Sequence, residues 1–185
     1  MKRLFIAIKI KPDAEFMQQF RELKDTLRHE SVKWVEEQNI HITLKFLGET
    51  AEDRIPAIGE ALDAVARQTK VFRFSLTGLG IFGSTYEPRV LWTKVHPAEP
   101  LLALMESVHN ALVPAGFERD RQNLVPHLTL GRIRSLRDKK LFREMVEDHR
   151  DIESAPITGA GMILFESILK KEGPEYRMIQ AHPFQ

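Results

Sequence analysis

The sequence predicts an α+β fold in which two pseudo-symmetric lobes flank a central groove. The prediction rests on an internal repeat, because His41-Ile42-Thr43-Leu44 recurs 86 residues later as His127-Leu128-Thr129-Leu130. Arg3 and Arg89, which open the first predicted strand of each half, are also 86 residues apart. Two apolar helix stripes repeat at an offset of 85, namely Phe16, Phe20, Leu23 and Leu27 against Leu101, Met105, Val108 and Leu112. Self-similarity at a fixed spacing is typical of a duplicated architecture.

Strands and helices alternate through the first half. A short apolar run closed by Pro12 predicts the first strand, and Asp13 is a suitable N-cap for the helix that follows. The first His-Thr motif lies in a β-prone run that ends at Gly48. The predicted elements are a strand over 4–10, a helix over 13–29, a strand over 39–47, a helix over 52–68 and a strand over 72–79. Gly78, Gly80, Gly83 and Pro88 then predict a loop.

The same order restarts in the second half. Pro97 opens a helix, and a polar loop over 114–126 leads into the second motif. The predicted elements are a strand over 90–95, a helix from 97 to about 112, a strand over 124–133, a helix over 136–148 and strands over 158–166 and 176–182. We therefore expect residues 1–185 to form one domain of two duplicated lobes, with halves at approximately 1–80 and 89–182.

Composition excludes several classes of protein. With 27 Lys and Arg against 26 Asp and Glu, the net charge of +1 excludes a globally basic nucleic-acid binder but permits a local basic patch. Without cysteine there is no disulfide, thiolate metal site or cysteine nucleophile, which agrees with a reducing compartment. The apolar run over 4–8 is too short for a signal peptide, and no stretch has the length of a membrane helix. We expect a cytoplasmic monomer with no membrane contact.

The two motifs place a pair of proton-transfer groups on strands. Successive side chains of a strand point to opposite faces, so each motif sends its His and Thr to one face and two apolar residues to the other. A single histidine of this kind is best interpreted as structural. Two matched histidines with matched threonines favour catalysis, because an imidazole can give or take a proton near neutral pH.

Other catalytic signatures are absent from the sequence. Two suitable histidines without a HExxH pattern or a neighbouring carboxylate do not make a zinc site, which needs three or four ligands. There is no glycine-rich phosphate loop and no nucleophile-elbow pattern. The sequence therefore predicts neither a metal nor a cofactor.

With these features the chain resembles the 2H phosphoesterase superfamily, and more narrowly the RNA 2′,3′-cyclic phosphodiesterases, historically called 2′-5′ RNA ligases. Besides the two motifs, the resemblance covers Arg3-Leu4-Phe5-Ile6-Ala7-Ile8, Lys45-Phe46-Leu47-Gly48-Glu49, Pro88-Arg89-Val90-Leu91-Trp92, Pro126-His127-Leu128-Thr129-Leu130-Gly131-Arg132, Glu166-Ser167-x-Leu169 and Gly173-Pro174-x-Tyr176. It implies that each lobe is an antiparallel β-sheet with helices packed outside.

The resemblance also implies a reaction, the hydrolysis of RNA 2′,3′-cyclic phosphate ends to 2′-phosphomonoesters, with a capacity for reverse 2′-5′ ligation. By resemblance, His41 donates a proton to the 3′ oxygen and His127 accepts one from water, although the residues alone leave the two roles interchangeable. Thr43 and Thr129 would bind the phosphoryl oxygens. Arg132 is a weaker candidate, because strict alternation places it on the wrong face of the strand. The implied partner is RNA with a cyclic phosphate end, tRNA fragments being one candidate source.

Two alternatives stay open. The same site could act on another substrate, such as a cyclic ADP-ribose phosphate, a cyclic mononucleotide or an oligouridylate tail. The chain could also be a non-catalytic module that binds RNA ends.

Several further residues are assigned from sequence context alone. Lys45 shares the face of the first motif and is either a phosphate contact or a solvated lysine. Core positions are expected for Phe82, Phe117, Trp34 and Trp92. Surface or capping roles are expected for the histidines outside the motifs, which are His29, His96, His109, His149 and His182. The basic run after the second motif, which contains Arg132, Arg134, Arg137, Lys139, Lys140 and Arg143, could steer an RNA end towards the groove.

Overall fold

In the computed structural model, the described residues are 1–84, 86–120, 123–171 and 173–185. Part of the predicted loop over 114–126 therefore lies outside the described residues. In chain order the elements are β1 (Lys2–Lys9), α1 (Ala14–Thr26), β2 (Ser31–Trp34), β3 (His41–Thr50), α2 (Ile55–Ala66), β4 (Phe72–Gly83), β5 (Pro88–His96), α3 (Glu99–Leu112), β6 (His127–Ser135), α4 (Lys139–Asp148), β7 (Ile157–Gly159), β8 (Gly161–Leu169) and β9 (Pro174–Pro183).

The strands form one antiparallel sheet in the order β7-β4-β5-β6-β3-β1-β8-β9, and β2 pairs with β6 off this path. The two halves of the sheet meet where β3 and β6 pair through Ile42 and Leu128, the apolar residues at the centre of the two motifs. The predicted α+β fold, with two pseudo-symmetric lobes of antiparallel sheet and helices outside, is confirmed. The two motif strands lie side by side at its centre.

The two faces of the sheet have different surroundings. Buried residues of all four helices join one core with Ile42, Leu44, Leu128 and Leu130 of the motif strands. The opposite face carries a separate, smaller cluster of buried apolar residues, Phe5, Ala7 and Phe165, and we call it the groove face. In the part of the chain that the structure describes, no helix is both long and apolar enough to cross a membrane.

Each motif is followed by a β-bulge at the same place. In the β1–β3 ladder, Ala7 lies opposite Thr43 and Ile6 opposite Lys45, so Leu44 has no partner. In the β5–β6 ladder, Trp92 lies opposite Thr129 and Leu91 opposite Gly131, so Leu130 has none. An extra residue in one strand reverses the alternation of side chains beyond it. The residues after each motif therefore point to faces that strict alternation does not predict.

The predicted loop around Gly78 and Gly80 is instead part of a long strand. β4 runs to Gly83 and pairs with β5 along nearly its whole length. Gly78 has a φ of 61° at a bulge, a conformation that glycine adopts without strain. A Cβ at Gly80 would lie 2.5 Å from the Trp92 ring, so a side chain there would displace the indole.

Two further elements differ from the predictions. The short strand β2, which carries Trp34, interrupts the chain between the first helix and the first motif. The strand expected over 158–166 is divided into β7 and β8, which pair with different partners, β4 and β1. Both differences arise from long-range pairing, which local sequence patterns do not encode.

Asp13 links the start of α1 to a distant segment. Its Oδ1 accepts hydrogen bonds from the Glu15 and Phe16 amides at 3.1 Å, and its Oδ2 accepts one from the Ala155 amide at 2.7 Å. Desolvation by burial raises the pKa of Asp13, but these backbone hydrogen bonds outweigh it and hold the pKa below its usual value. The cap therefore stabilises the fold in its ionised form.

We expect Asp13→Ala to lower the free energy of unfolding by about 1–2 kcal/mol, because it removes the helix cap. Asp13→Asn should lose less, since its carbonyl oxygen can still cap the helix. Because the folded pKa is depressed, the extra stability of the carboxylate is present above the unfolded pKa and is lost as pH falls through the folded pKa. Urea unfolding at several pH values measures this. A wild-type advantage over Asp13→Asn that persists at the lowest pH would contradict it.

Candidate active site

His41 is the first residue of β3, and its ring is oriented by the turn before it. Nδ1 lies 2.6 Å from the Asn39 carbonyl oxygen. A carbonyl oxygen can only accept, so Nδ1–H donates and the neutral ring keeps a free lone pair on Nε2. Nε2 lies 3.1 Å from the Thr43 hydroxyl, which donates to it when the ring is neutral. The Asn39 side chain in turn donates to the Pro174 carbonyl at 3.0 Å, tying the turn to the start of β9.

His127 repeats this arrangement at the start of β6. Its Nδ1–H donates to the Val125 carbonyl oxygen at 2.6 Å, again two residues upstream. Both rings therefore use the same nitrogen to fix their orientation and leave Nε2 for chemistry. A hydrogen bond of this kind sets both the tautomer and the ring plane of a functional imidazole.

Aromatic rings surround both histidines. The His41 ring lies 5.2 Å from Phe5 and 5.3 Å from Tyr176, measured between ring centroids. The His127 ring lies 4.9 Å from Phe82 and 5.7 Å from Trp92. These rings exclude water from one side of each imidazole while the other side remains accessible from the groove.

Burial lowers the pKa of both imidazoles. For His41, desolvation is the largest cause, the hydrogen bond to Asn39 opposes it, and the charges of His127 and Arg132 lower the pKa further. For His127, desolvation again comes first, opposed by Val125 and reinforced by Arg132. Both imidazoles therefore favour the neutral state more than a free histidine does.

The antiparallel pairing of Ile42 with Leu128 crosses the two motifs. It places His41 level with Thr129, and Thr43 level with His127, on the groove face. The two imidazoles therefore lie diagonally across the point where the lobes meet, and each motif supplies a hydroxyl beside the other motif's histidine.

Arg132 reaches the groove because of the bulge in β6. After the unpaired Leu130, Arg132 lies opposite Val90 and returns to the face that carries His127 and Thr129. It lines a cavity of about 290 Å³ together with Phe5 and Tyr176. Its charge lowers the pKa of His41, as it does that of His127. Strict alternation predicts that Arg132 lies on the other face of β6, and that prediction is wrong because of the bulge.

Lys45 does not share the face of the first motif. The bulge at Leu44 places it opposite Ile6, a core residue, and its side chain is only 2% exposed. Its Nζ donates to the Glu118 carbonyl at 2.8 Å and to Asp120 Oδ1 at 2.9 Å. Lys45 is therefore neither a phosphate contact nor a solvated lysine. It ties β3 to the segment that precedes the second motif.

Several groove residues were not singled out from the sequence as parts of the site. Phe46 is 62% exposed and borders both the 290 Å³ cavity and a second one of about 490 Å³ that contains Thr43 and His127. Trp92 and Phe82, expected in the core, stack on each other at 4.8 Å beside His127. Tyr176 and Phe46 belong to the stretches that carry the family resemblance. That resemblance is the sequence evidence that could have identified them as groove residues.

The remaining histidines have structural roles. His109 is fully buried, with Nε2 3.2 Å from the Leu44 carbonyl, and His182 is buried against Asp63 at 2.6 Å, so the surface roles expected for both are wrong. His149 caps the end of α4 as expected. Over the described residues there is no group of three or more His, Cys, Asp or Glu that could hold a metal ion.

Comparison with known proteins identifies the family. The sequence model of the protein family described as LigT like phosphoesterase matches the chain twice, over residues 10–92 and 94–176. An RNA 2′,3′-cyclic phosphodiesterase of Aeropyrum pernix is 34% identical over 85% of this chain and 90% of its own length. One of Thermotoga maritima is 34% identical over 99% of this chain and 96% of its own.

Solved structures share the fold. The crystal structure of TT0787 of Thermus thermophilus superposes with a TM-score of 0.79 at 26% identity, covering 98% of this chain and 97% of that one. E. coli LigT complexed with 3′-AMP has a TM-score of 0.76 at 20% identity, covering 99% and 98%. The resemblance inferred from the two motifs is confirmed, and the chain belongs to the LigT-like family of 2H phosphoesterases.

Proposed function

We propose that this chain hydrolyses RNA 2′,3′-cyclic phosphate ends to 2′-phosphomonoesters without a metal ion, using two histidines as acid and base. The observation that carries the proposal is the matched pair of imidazoles. Each is fixed through Nδ1–H to a carbonyl two residues upstream, and each leaves Nε2 for proton transfer on the same face of adjacent strands. A purely structural histidine has no need of such duplicated geometry.

In the proposed reaction, His127 Nε2 takes a proton from water as the water oxygen bonds to phosphorus. The bond from phosphorus to the 3′ oxygen breaks, and His41 Nε2–H gives its proton to that oxygen. The products are a 3′ hydroxyl and a 2′-phosphomonoester. If an RNA 5′ hydroxyl replaces water as the nucleophile, the same proton transfers lead to the 2′-5′ linkage of the ligation reaction. The roles of the two histidines follow the family resemblance.

Thr43, Thr129 and Arg132 are proposed to bind the phosphoryl oxygens, where negative charge grows as water attacks. Two hydroxyl donors and a guanidinium oriented before the reaction stabilise that charge with little reorganisation. The aromatic rings behind the histidines strengthen these interactions by excluding water. The proposed setting is the cytoplasm, which agrees with the absence of cysteine, and the proposed state is a monomer.

A panel of substrates tests the proposal directly. We expect RNA ending in a 2′,3′-cyclic phosphate to be turned over and to yield a 2′-phosphate. Turnover of a cyclic ADP-ribose phosphate or an oligouridylate tail without turnover of the RNA would favour a different substrate for the same site. Tight binding of the RNA 2′-phosphate without turnover of any substrate would favour a non-catalytic module.

We expect His41→Asn and His127→Asn each to lower kcat by about 10²–10⁴-fold, since each removes one proton-transfer group. The exposed His29, changed in the same way, is the matched control and should keep wild-type turnover. Thermal unfolding checks that each variant is folded. A folded His41 or His127 variant with near-wild-type hydrolysis would disprove the mechanism.

The kcat/KM of the free enzyme should follow a bell-shaped pH profile. Both limbs should lie at lower pH than unperturbed histidines would give, because burial lowers the pKa of both imidazoles.

Arg132→Gln removes a positive charge that disfavours each imidazolium. It should therefore raise the pKa of both histidines, measured by NMR titration, and reduce turnover. Arg67→Gln, at the exposed end of α2, is the control. Unchanged histidine pKa values in Arg132→Gln would contradict the assigned position of its charge.

Hydrolysis should survive prolonged treatment with EDTA, because the proposed proton transfers use only side chains of the chain. Turnover of the cyclic phosphate before and after chelation and desalting is the measurement. Loss of activity that zinc restores would show that the reaction depends on a metal ion.

A further inference from the structure

A basic surface continues from the active site along β6. Lys33 of β2 lies opposite Arg132 in the β2–β6 ladder, and cross-strand partners point to the same face. Arg134 follows Arg132 by two residues and is the unpaired residue of a bulge in the β2–β6 ladder, since Val32 lies opposite Ile133 and Ser31 opposite Ser135. Lys33 and Arg134 line an open cavity of about 410 Å³, together with Lys171 from the connection between β8 and β9. We call these three residues the basic track.

The basic track directly continues the cavity beside the catalytic residues. Arg132 of β6 and Leu169 of β8 line the 290 Å³ cavity that contains Phe5 and Tyr176. Two residues further along the same two segments, Arg134 and Lys171 line the 410 Å³ cavity. The second cavity therefore lies next to the first, in the direction along β6 that leads away from His127.

Among the residues that the structure describes, no carboxylate forms an ion pair with a cation of the basic track. All three cations are exposed. Among the described residues of the lining, the acidic side chain is Glu30, whose two carboxylate oxygens accept backbone hydrogen bonds from Arg137 at 2.6 Å and Asp138 at 3.1 Å. Glu30 is thus held at the start of α4, and the track keeps a local positive charge on a nearly neutral protein.

We propose that Lys33, Arg134 and Lys171 bind the phosphates of the nucleotides that precede the terminal cyclic phosphate, so that the enzyme prefers an RNA strand to a cyclic mononucleotide. This inference rests on the proposed function. Three cations that line one open cavity match a polyanion that carries one phosphate per nucleotide. The polar lining of the cavity offers no base-specific pocket, so the contact is independent of RNA sequence.

The test compares two substrates. Wild type is assayed with a 5′-labelled oligouridylate ending in a 2′,3′-cyclic phosphate and with 2′,3′-cyclic UMP. In Lys33→Gln/Arg134→Gln, the ratio of kcat/KM for the oligomer to kcat/KM for cyclic UMP should fall on the order of tenfold at low salt. The slope of log KM for the oligomer against log salt should decrease by about 1.4, since each lost phosphate contact on a single strand accounts for about 0.7.

The matched control removes the same charges elsewhere. Arg67→Gln/Lys70→Gln also loses one arginine and one lysine, at the exposed C-terminal end of α2 on the helix side of the sheet. It should retain the wild-type ratio and salt slope. An equal loss in this control would show that net charge, and not the basic track, determines the preference for RNA, and would overturn the proposal.

Binding separates failure of the track from failure of the proposed function. Fluorescence anisotropy with a labelled oligouridylate ending in a 2′-phosphate requires no turnover. Weaker binding by Lys33→Gln/Arg134→Gln than by wild type and the control supports the track, even if wild type hydrolyses neither substrate and the proposed function fails. Equal affinity of all three proteins for the labelled oligouridylate, or no preference of wild type for the oligomer over cyclic UMP, overturns the proposed role of the basic track.

Discussion

The pairing of Ile42 with Leu128 is the constraint on which the site depends. Both side chains face the core, so hydrophobic burial fixes the register between β3 and β6, the two strands that carry the motifs. If one of these strands slipped by one residue, its apolar side chains would turn to the groove and its imidazole would turn into the core. The free energy that holds the core together therefore also sets the relative position of the two histidines.

The faces of the motif histidines and threonines could be predicted from the sequence. The faces of the residues that follow each bulge could not. Alternation within each motif correctly separates His and Thr from the core, because the strands are regular there. It fails at Lys45 and Arg132, which occupy the faces opposite to those predicted since each strand gains one residue just after its motif. Gly131 is a weak signal for the bulge in β6, and no residue type marks the bulge in β3.

The same bulges make the two lobes chemically unequal. The residue 86 positions before Arg132 is Phe46. The residue 86 positions after Lys45 is Gly131. One lobe thus contributes a cation to the groove where the other contributes an exposed ring. The buried Lys45 instead binds Glu118 and Asp120. The two repeats therefore match at their His and Thr and differ in the residues at the bulges.

The strand order makes each half of the chain depend on the other. β4 of the first half pairs with β5 of the second, and β8 of the second half pairs with β1 of the first, so each half completes the sheet of the other. A single copy would expose long unpaired edges and an incomplete core unless a second copy supplied the missing strand. The first half alone would hold one imidazole and leave β4 without both of its partners, β5 and β7, so both halves of the chain are needed to bring the two histidines onto one sheet.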